Sequence, residues 1–234
     1  MQTADHLKQT LLKYSNKEKA AFFPTFFKTG KGQYGEGDQF IGVTVPDQRK
    51  IAKQYVALPL QEIQTLLTSK IHEHRLTALL ILVLQFQKAN GVAQKMITDF
   101  YLINTKYVNN WDLVDSSADK ILGEYLHDKD TRILSELARS NNIWERRIAI
   151  IATFSFIKQG KFEDTIKIAQ LLLQDKHDLI HKAVGWMLRE VGKKDQAILE
   201  KFLSKHAKTM PRTMLRYAIE RFSEEKRKQY LTVR

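Results

Sequence analysis

One segment of the chain, residues 109–115 (Asn-Asn-Trp-Asp-Leu-Val-Asp), combines residue types that can do chemistry. An Asn-rich turn precedes a predicted helix, and Asp115 lies one helical turn after Trp111, on the same face. A carboxylate on an apolar helix face is costly unless it is paired or hydrogen-bonded. Asp115 is therefore a candidate functional carboxylate. The alternative is a carboxylate that bonds backbone N–H groups at the helix start, for which Asp112 is better placed.

The chain has only three tryptophans, and each lies in a predicted repeat helix beside charged residues, Trp111 and Trp144 at the helix start. Trp144 follows a second Asn-Asn turn, and Trp186 lies beside Lys182 at the edge of an apolar stripe. A tryptophan in such a place is often a rim packing residue, but its ring can also stack on a base or press against a sugar. Trp111 and Trp186 are therefore candidates for ligand contact.

Helical periodicity recurs through almost the whole chain and predicts the elements that position these residues. An apolar stripe at 7–14 and an aromatic one at 22–27 come first, and the pattern then stops over residues 29–44, which hold five of the ten glycines. Pro46 and Asp47 next predict the first turn of a helix. Further helices are predicted near residues 47–57, 60–68, 73–89, 93–105, 111–126, 130–139, 144–158, 161–173, 177–191, 195–205 and 211–229.

The later helices repeat at an interval of 35 residues. This shift superposes Trp144, Leu179 and Met214, and two more apolar triplets follow at steps of four residues, which marks one helix face. Helix pairs of this length are typical of tetratricopeptide, HEAT and armadillo repeats, which stack because one pair cannot bury its apolar face alone. We therefore predict an all-α fold, a curved α-solenoid of HEAT-like helical repeats that forms a single domain over residues 1–234.

Charge gives the first indication of a partner. The formal net charge is +12, but residues 201–234 carry +7 whereas residues 111–130 carry −4. The 35-residue shift also aligns basic residues, which would line the concave surface of the solenoid; these are Arg146, His181 and Arg216, and Arg147 with Lys182. Solvated helix faces explain single charges but not this imbalance. The pattern indicates a polyanion-binding face with carboxylates set into it.

Composition excludes several classes of protein. The chain has no cysteine, which excludes a disulfide scaffold, thiolate metal ligands and a cysteine nucleophile. Its longest apolar run, residues 78–84, is far shorter than the roughly 20 residues that cross a bilayer. The first six residues lack the charged and apolar regions of a signal peptide. We therefore expect a soluble, intracellular protein without membrane contact, cytoplasmic and, in a bacterium, associated with the nucleoid.

Two motifs match the consensus sequence of a cofactor site or a metal site but lack the surrounding elements or ligands that such a site requires. Residues 30–35 fit the dinucleotide-binding glycine pattern, but an aromatic helix precedes them where that pattern needs a strand. His177 and His181 lie on one helix face as in zinc proteases, but Asp178 stands where those proteases carry a glutamate, and no third ligand follows. We expect neither a cofactor nor a metal.

Several motifs together resemble the AlkD-like DNA alkylation repair proteins. They are Asn-Trp-Asp-Leu-Val-Asp at 110–115, Asn-Asn-Ile-Trp-Glu-Arg-Arg at 141–147, Lys-Ala-Val-Gly-Trp-Met-Leu-Arg-Glu at 182–190, and the glycine-rich stretch 28–38 with Val-Pro-Asp at 45–47. The resemblance spans roughly residues 15–225 in consistent order. It implies an all-helical HEAT-like solenoid and a monofunctional DNA glycosylase that removes positively charged N3- and N7-alkylated purines, such as 3-methyladenine and 7-methylguanine, from duplex DNA.

The resemblance also assigns roles by position. Trp111, Asp115 and Trp186 match the aromatic–carboxylate–aromatic set with which the family contacts the lesion, and Arg147 matches its DNA-backbone arginine. Two positions depart from the best-known type, which has a tyrosine in place of Phe26 and a longer polar side chain in place of Thr44; contact with DNA is expected at both. The residues expected to bind DNA are Phe26, Thr44, Arg146, Arg147, His181, Lys182 and Arg216.

The sequence therefore predicts an enzyme in which Asp115 stabilises positive charge on the sugar as the base leaves. Its partner is double-stranded DNA, and we expect a monomer. The first alternative is a catalytically inactive HEAT-like module that binds unusual DNA or RNA structures. The second is a protein-interaction scaffold, which the repeated basic positions disfavour.

Overall fold

The computed structural model describes residues 2–232, so one residue of the amino-terminal segment and the last two of the basic carboxy-terminal region lie outside it. The chain divides into two compact units, Met1–Ser117 and Ala118–Arg234. Regular structure in the described part of the chain is helical, apart from an isolated parallel bridge between Gln39 and Ile71. The all-α prediction is confirmed, and the single domain over residues 1–234 stays a prediction. No described helix is long and apolar enough to span a membrane.

The first unit is built around one central helix. Its elements are α1 (Ala4–Leu12), α2 (Lys17–Phe26), α3 (Val45–Gln54), α4 (Leu60–Leu67), α5 (His72–Lys88), α6 (Gly91–Ile103), a 3-10 turn (Thr105–Tyr107) and α7 (Trp111–Ser117). Helix α5 packs against α3, α4, α6 and α7. It carries the longest apolar run of the chain and is buried on nearly all sides, as expected of a helix that is apolar all round.

The second unit contains the predicted repeat. Its elements are a π-helix (Asp119–Gly123), α8 (Arg132–Ala138), α9 (Ile143–Ala152), α10 (Phe154–Lys158), α11 (Glu163–Leu171), α12 (Asp178–Lys194), α13 (Gln196–His206), α14 (Arg212–Ala218) and α15 (Glu224–Thr232). The pairs α8/α9, α11/α12 and α13/α14 follow one another, and α12 packs against both α9 and α14. Trp144 and Met214 are buried and Leu179 is half-buried, so the repeat does mark a buried face of these helices.

A glycine permits close packing of α12 against α14. A Cβ atom on Gly185 of α12 would lie 2.5 Å from the carbonyl oxygen of Met214 on α14. Any larger residue would separate the two helices, so the repeat interface depends on this position.

Three helices are shorter than the periodicity predicts. The helix predicted at 144–158 breaks at Thr153, whose Oγ1 donates to the carbonyl oxygen of Ile150 (2.7 Å). The helix predicted at 111–126 ends as an α-helix at Ser117, whose Oγ donates to the carbonyl oxygen of Leu113 (2.7 Å), and a π-helix follows. Hydroxyl side chains at both breaks compete for helix carbonyls, which apolar periodicity does not register. The helix predicted at 211–229 is divided into α14 and α15.

Candidate functional site

A buried asparagine stands immediately before α7. Oδ1 of Asn110 accepts the backbone N–H of Trp111 (2.8 Å), and the Asn110 side chain is fully buried. The Asn-rich turn predicted before this helix therefore has a direct structural role. It places Trp111 at the first position of α7 and Asp115 one turn later, on the face that the spacing predicts.

Trp111 and Asp115 line a cavity of about 410 Å³ in the first unit, which we call the aromatic pocket. Four phenylalanines contribute to its wall, namely Phe23, Phe26, Phe27 and Phe40. The ring of Trp111 stacks on Phe27 with a centroid separation of 5.6 Å, and meets Phe26 edge-on at 5.8 Å. Asp115 is half-buried in this wall. The pocket therefore offers π faces and a carboxylate to one ligand.

A buried polar network forms part of the pocket wall, because His72 and Asp112 both line the pocket. We call it the His72 network, and it consists of Asp38, His72, Arg75 and Asp112. Nε2 of His72 lies 2.8 Å from Oδ2 of Asp112, and Nδ1 lies 3.0 Å from Oδ2 of Asp38. Arg75 completes the network with a 2.6 Å bond from Nη2 to Oδ1 of Asp38. The sequence places Asp112 at a helix start, where Oδ1 does accept the N–H of Leu113 (2.9 Å), but its second oxygen binds His72.

The network shifts the pKa values of its members. Burial alone would lower the pKa of His72, but the charge of Asp112 and hydrogen bonds to Asp112 and Asp38 outweigh burial and raise it to about 9. Burial acts to raise the pKa of Asp38, and the His72 and Arg75 contacts more than offset this and lower it. His72 is therefore an imidazolium between two carboxylates at neutral pH. Sequence reasoning missed it because its partners lie 34 and 40 residues away.

The glycine-rich segment is held against α5 by another buried acid, Glu73. The Glu73 carboxylate accepts backbone N–H groups from Ile41 (3.1 Å), Gly42 (2.8 Å) and Val43 (3.3 Å). Burial raises the pKa of Glu73, and the backbone hydrogen bonds offset only part of that rise. Gly42 has φ +81, and a Cβ atom there would lie 2.1 Å from the carbonyl oxygen of Asn16. The glycine pattern at 30–35 follows α2 rather than a strand, as predicted.

Two other predicted DNA contacts lie in the first unit. Phe26 is 50% exposed at the rim of the aromatic pocket, so its ring is accessible to a ligand. Thr44 precedes α3, and its Oγ1 donates to Oδ2 of Asp47 (2.6 Å). Thr44 therefore positions the first turn of α3 in addition to any contact it makes with DNA.

Trp186 lies half-buried on α12 of the second unit. Its Nε1 donates to Oε1 of Glu190 (3.2 Å), and its ring centroid lies 5.9 Å from that of Phe154. Nζ of Lys158 lies 4.5 Å above the Phe154 ring. The indole is thus held by a carboxylate and a second ring, with a cation close by.

The predicted basic residues of the second unit have different environments. Arg147 is buried and donates to the carbonyl oxygen of Leu179 (2.6 Å). Arg146 forms an ion pair with Asp175 (2.6 Å), and Nε2 of His181 donates to the Asp175 carbonyl oxygen (2.5 Å). These three side chains therefore also brace the turns before α9 and α12.

The two remaining basic residues are more accessible. Lys182 is 40% exposed and pairs with Asp178 (2.7 Å), and Arg216 is exposed on α14. His177 caps α12, with Nδ1 accepting the N–H of Leu179 (3.2 Å). Within residues 2–232, no group of three histidines or carboxylates could hold a metal ion.

The first unit thus brings Phe26, Trp111 and Asp115 into one pocket, while the other predicted lesion and basic residues belong to the second unit. The helices, with pairs repeating every 35 residues in the second unit, define an α-helical repeat protein. A family model of the DNA alkylation repair enzymes matches residues 7–222. The chain belongs to this family, which gives it a role in DNA repair with DNA as its partner.

Solved structures show the same fold at low sequence identity. A protein from Enterococcus faecalis described as a predicted DNA alkylation repair enzyme is 19% identical, with a TM-score of 0.72, over 90% of this chain and 97% of its own. AlkD2 from Streptococcus mutans is 18% identical, with a TM-score of 0.56, over 94% of this chain and 97% of its own. No curated protein matches the chain.

Proposed function

We propose that this protein is a monofunctional DNA glycosylase that hydrolyses the N-glycosidic bond of N3- and N7-alkylated purines, such as 3-methyladenine and 7-methylguanine, in duplex DNA. The observation that carries the proposal is the aromatic pocket, in which Asp115 stands one helical turn from Trp111 among four phenylalanine rings. Family membership and the motifs around both residues support the same activity.

The proposed chemistry suits a carboxylate among aromatic rings. An alkylated purine already carries positive charge, so its glycosidic bond is weakened and the base needs little help from an acid. The deoxyribose becomes an oxocarbenium-like cation as the bond breaks. Asp115 supplies negative charge to that cation and orients the attacking water. The phenylalanine walls strengthen the effect, because charges interact more strongly where water is excluded.

The tryptophans act through their π faces. Trp111 lies against the sugar and stabilises its positive charge, a contribution of about 0.5–2 kcal/mol by analogy with cation–π pairs. Its stacking on Phe27 fixes the ring plane before substrate arrives. Trp186 is a further contact to the damaged nucleotide, and the basic residues of the second unit contact the phosphates without reading sequence.

The test is base release from methylated duplex DNA under single-turnover conditions. We expect Asp115→Asn to release 7-methylguanine about 10²- to 10³-fold more slowly than wild type, since it removes one preorganised electrostatic group. DNA affinity should be unchanged. Asp99→Asn is the matched control, because it removes an exposed carboxylate of α6 outside the pocket, and it should retain wild-type release.

Two outcomes would overturn the proposal. Equal release by wild type and Asp115→Asn would exclude the carboxylate as the catalytic group. Binding of duplex DNA by wild type without any base release would instead support the catalytically inactive module.

A further inference from the structure

The His72 network has a geometry that a neutral histidine cannot satisfy. Both ring nitrogens of His72 face carboxylate oxygens, at 2.8 Å for Asp112 and 3.0 Å for Asp38. Ionised carboxylates only accept hydrogen bonds, so both nitrogens must carry protons, and a neutral imidazole carries one. His72 is also the first residue of α5, where the helix dipole disfavours a cation. Its two carboxylate partners therefore compensate for both burial and the helix end.

His72 is connected to Trp111 by two separate routes. The first is a hydrogen bond, because the Asp112 carboxylate that His72 binds belongs to the residue after Trp111. The second is a stack of rings, in which His72 lies 4.7 Å from Phe27 and Phe27 lies 5.6 Å from Trp111. The imidazole is only 2% exposed, so it acts on the pocket through these neighbours.

We propose that His72 is a positioning residue of the enzyme: its imidazolium fixes the first turn of α7 through Asp112 and the indole of Trp111 through Phe27. This inference rests on the proposed function, since the positioned groups are Trp111 and, one turn later, Asp115. His72 lines the aromatic pocket but is almost fully buried, so it acts through Trp111 and Asp112 rather than on the substrate itself. A purely structural role would require only that the buried carboxylates be neutralised, and would leave the geometry of Trp111 unchanged.

The charged groups around His72 come from three parts of the first unit. Asp38 faces it from the glycine-rich segment, Asp112 from α7, and Arg75 and Glu73 from α5. These interactions raise the pKa of His72 to about 9, so the imidazole keeps its second proton up to that pH. His72 is therefore charged at neutral pH and becomes neutral at moderately alkaline pH. If its charge positions Trp111, the environment of the indole should change over the same pH range.

The first experiment separates rate from binding. His72→Gln should lower single-turnover release of 7-methylguanine by roughly 10- to 100-fold, because small displacements of reacting groups carry penalties of that order. The Kd for duplex DNA should stay within about threefold of wild type. His74→Gln is the matched control, because His74 is also buried on α5 but binds Ser69 (2.9 Å) and contacts neither Asp112 nor the ring stack. It should keep the wild-type rate.

The second experiment does not depend on activity. In a Trp144→Phe/Trp186→Phe background, Trp111 is the only tryptophan, and its emission should change with a midpoint near pH 9. This transition should disappear in His72→Gln and persist in His74→Gln. Asp112→Asn keeps an oxygen acceptor but removes the charge that holds the proton, so the midpoint should move to lower pH. This variant also serves if His72→Gln does not fold.

The two experiments distinguish failure of this inference from failure of the proposed function. Absence of base release in wild type, with the emission transition intact, would remove the proposed function but leave His72 positioning Trp111. Normal release by His72→Gln, or a Trp111 transition that persists without His72 and does not move in Asp112→Asn, would overturn the positioning role.

Discussion

Alkaline pH should destabilise this protein through His72. Its pKa is about 9 in the folded state against 6.5 for an ordinary histidine, so folding strengthens proton binding. The resulting stabilisation is fully present below pH 6.5, falls as pH rises, and is lost once pH passes the folded value near 9. The pKa difference corresponds to about 3 kcal/mol, or about 1.4 kcal/mol for each pH unit within this window.

Urea unfolding followed by far-UV circular dichroism measures this effect. The wild type should exceed His72→Gln in free energy of unfolding at pH 6.5, and the difference should shrink by about 3 kcal/mol by pH 9.5. The pKa values of His74 and His177 are lowered, so their titration affects stability only below pH 6.5 and does not contribute to the change above that pH. An equal difference at both pH values would refute the charged state of His72 inferred from its two carboxylate contacts.

Two further predictions concern the glycine-rich segment. Glu73→Gln should lower the free energy of unfolding by about 1–3 kcal/mol in urea titrations, because it removes the negative charge that the three backbone N–H groups surround and places an NH2 donor where Oε2 accepts from Ile41; a loss no larger than that of the exposed Glu18→Gln would contradict this. Gly42→Ala should reduce thermal stability far more than Gly37→Ala. Both glycines have positive φ, but a Cβ atom at Gly42 would meet the Asn16 carbonyl, whereas the space at Gly37 is open. Equal losses of thermal stability would show that the clash at Gly42 adds nothing to the backbone strain that both positions share.

Much of the fold follows from periodicity. The stripe that predicts a helix at 60–68 corresponds to α4, Leu60–Leu67, and the 35-residue repeat correctly identifies α9, α12 and α14 as successive packed helices. Breaks such as Thr153 were not predictable in this way, because the apolar pattern continues unchanged through them and does not register a hydroxyl bond to one carbonyl.

The candidate site was predictable only along a single helix. Helical spacing places Trp111 and Asp115 on one face of α7, and the structure confirms this shared face. The His72 network joins segments far apart in sequence, which no local pattern encodes. One signal was present, since residues 72–75 (His-Glu-His-Arg) precede a long apolar run. Four consecutive polar residues would be predicted to face solvent. All four are instead at most 4% exposed, because they bind buried groups.

The contacts of Asp38 determine when the pocket can form during translation. This carboxylate meets His72, Arg75 and Asn110, the last of them 72 positions further along the chain. A nascent chain that ends before α7 has the phenylalanine wall but neither the indole nor Asp112. The pocket therefore closes only when both ends of the first unit have left the ribosome, and a fragment cut between α6 and α7 would lose the pocket together with its charge balance.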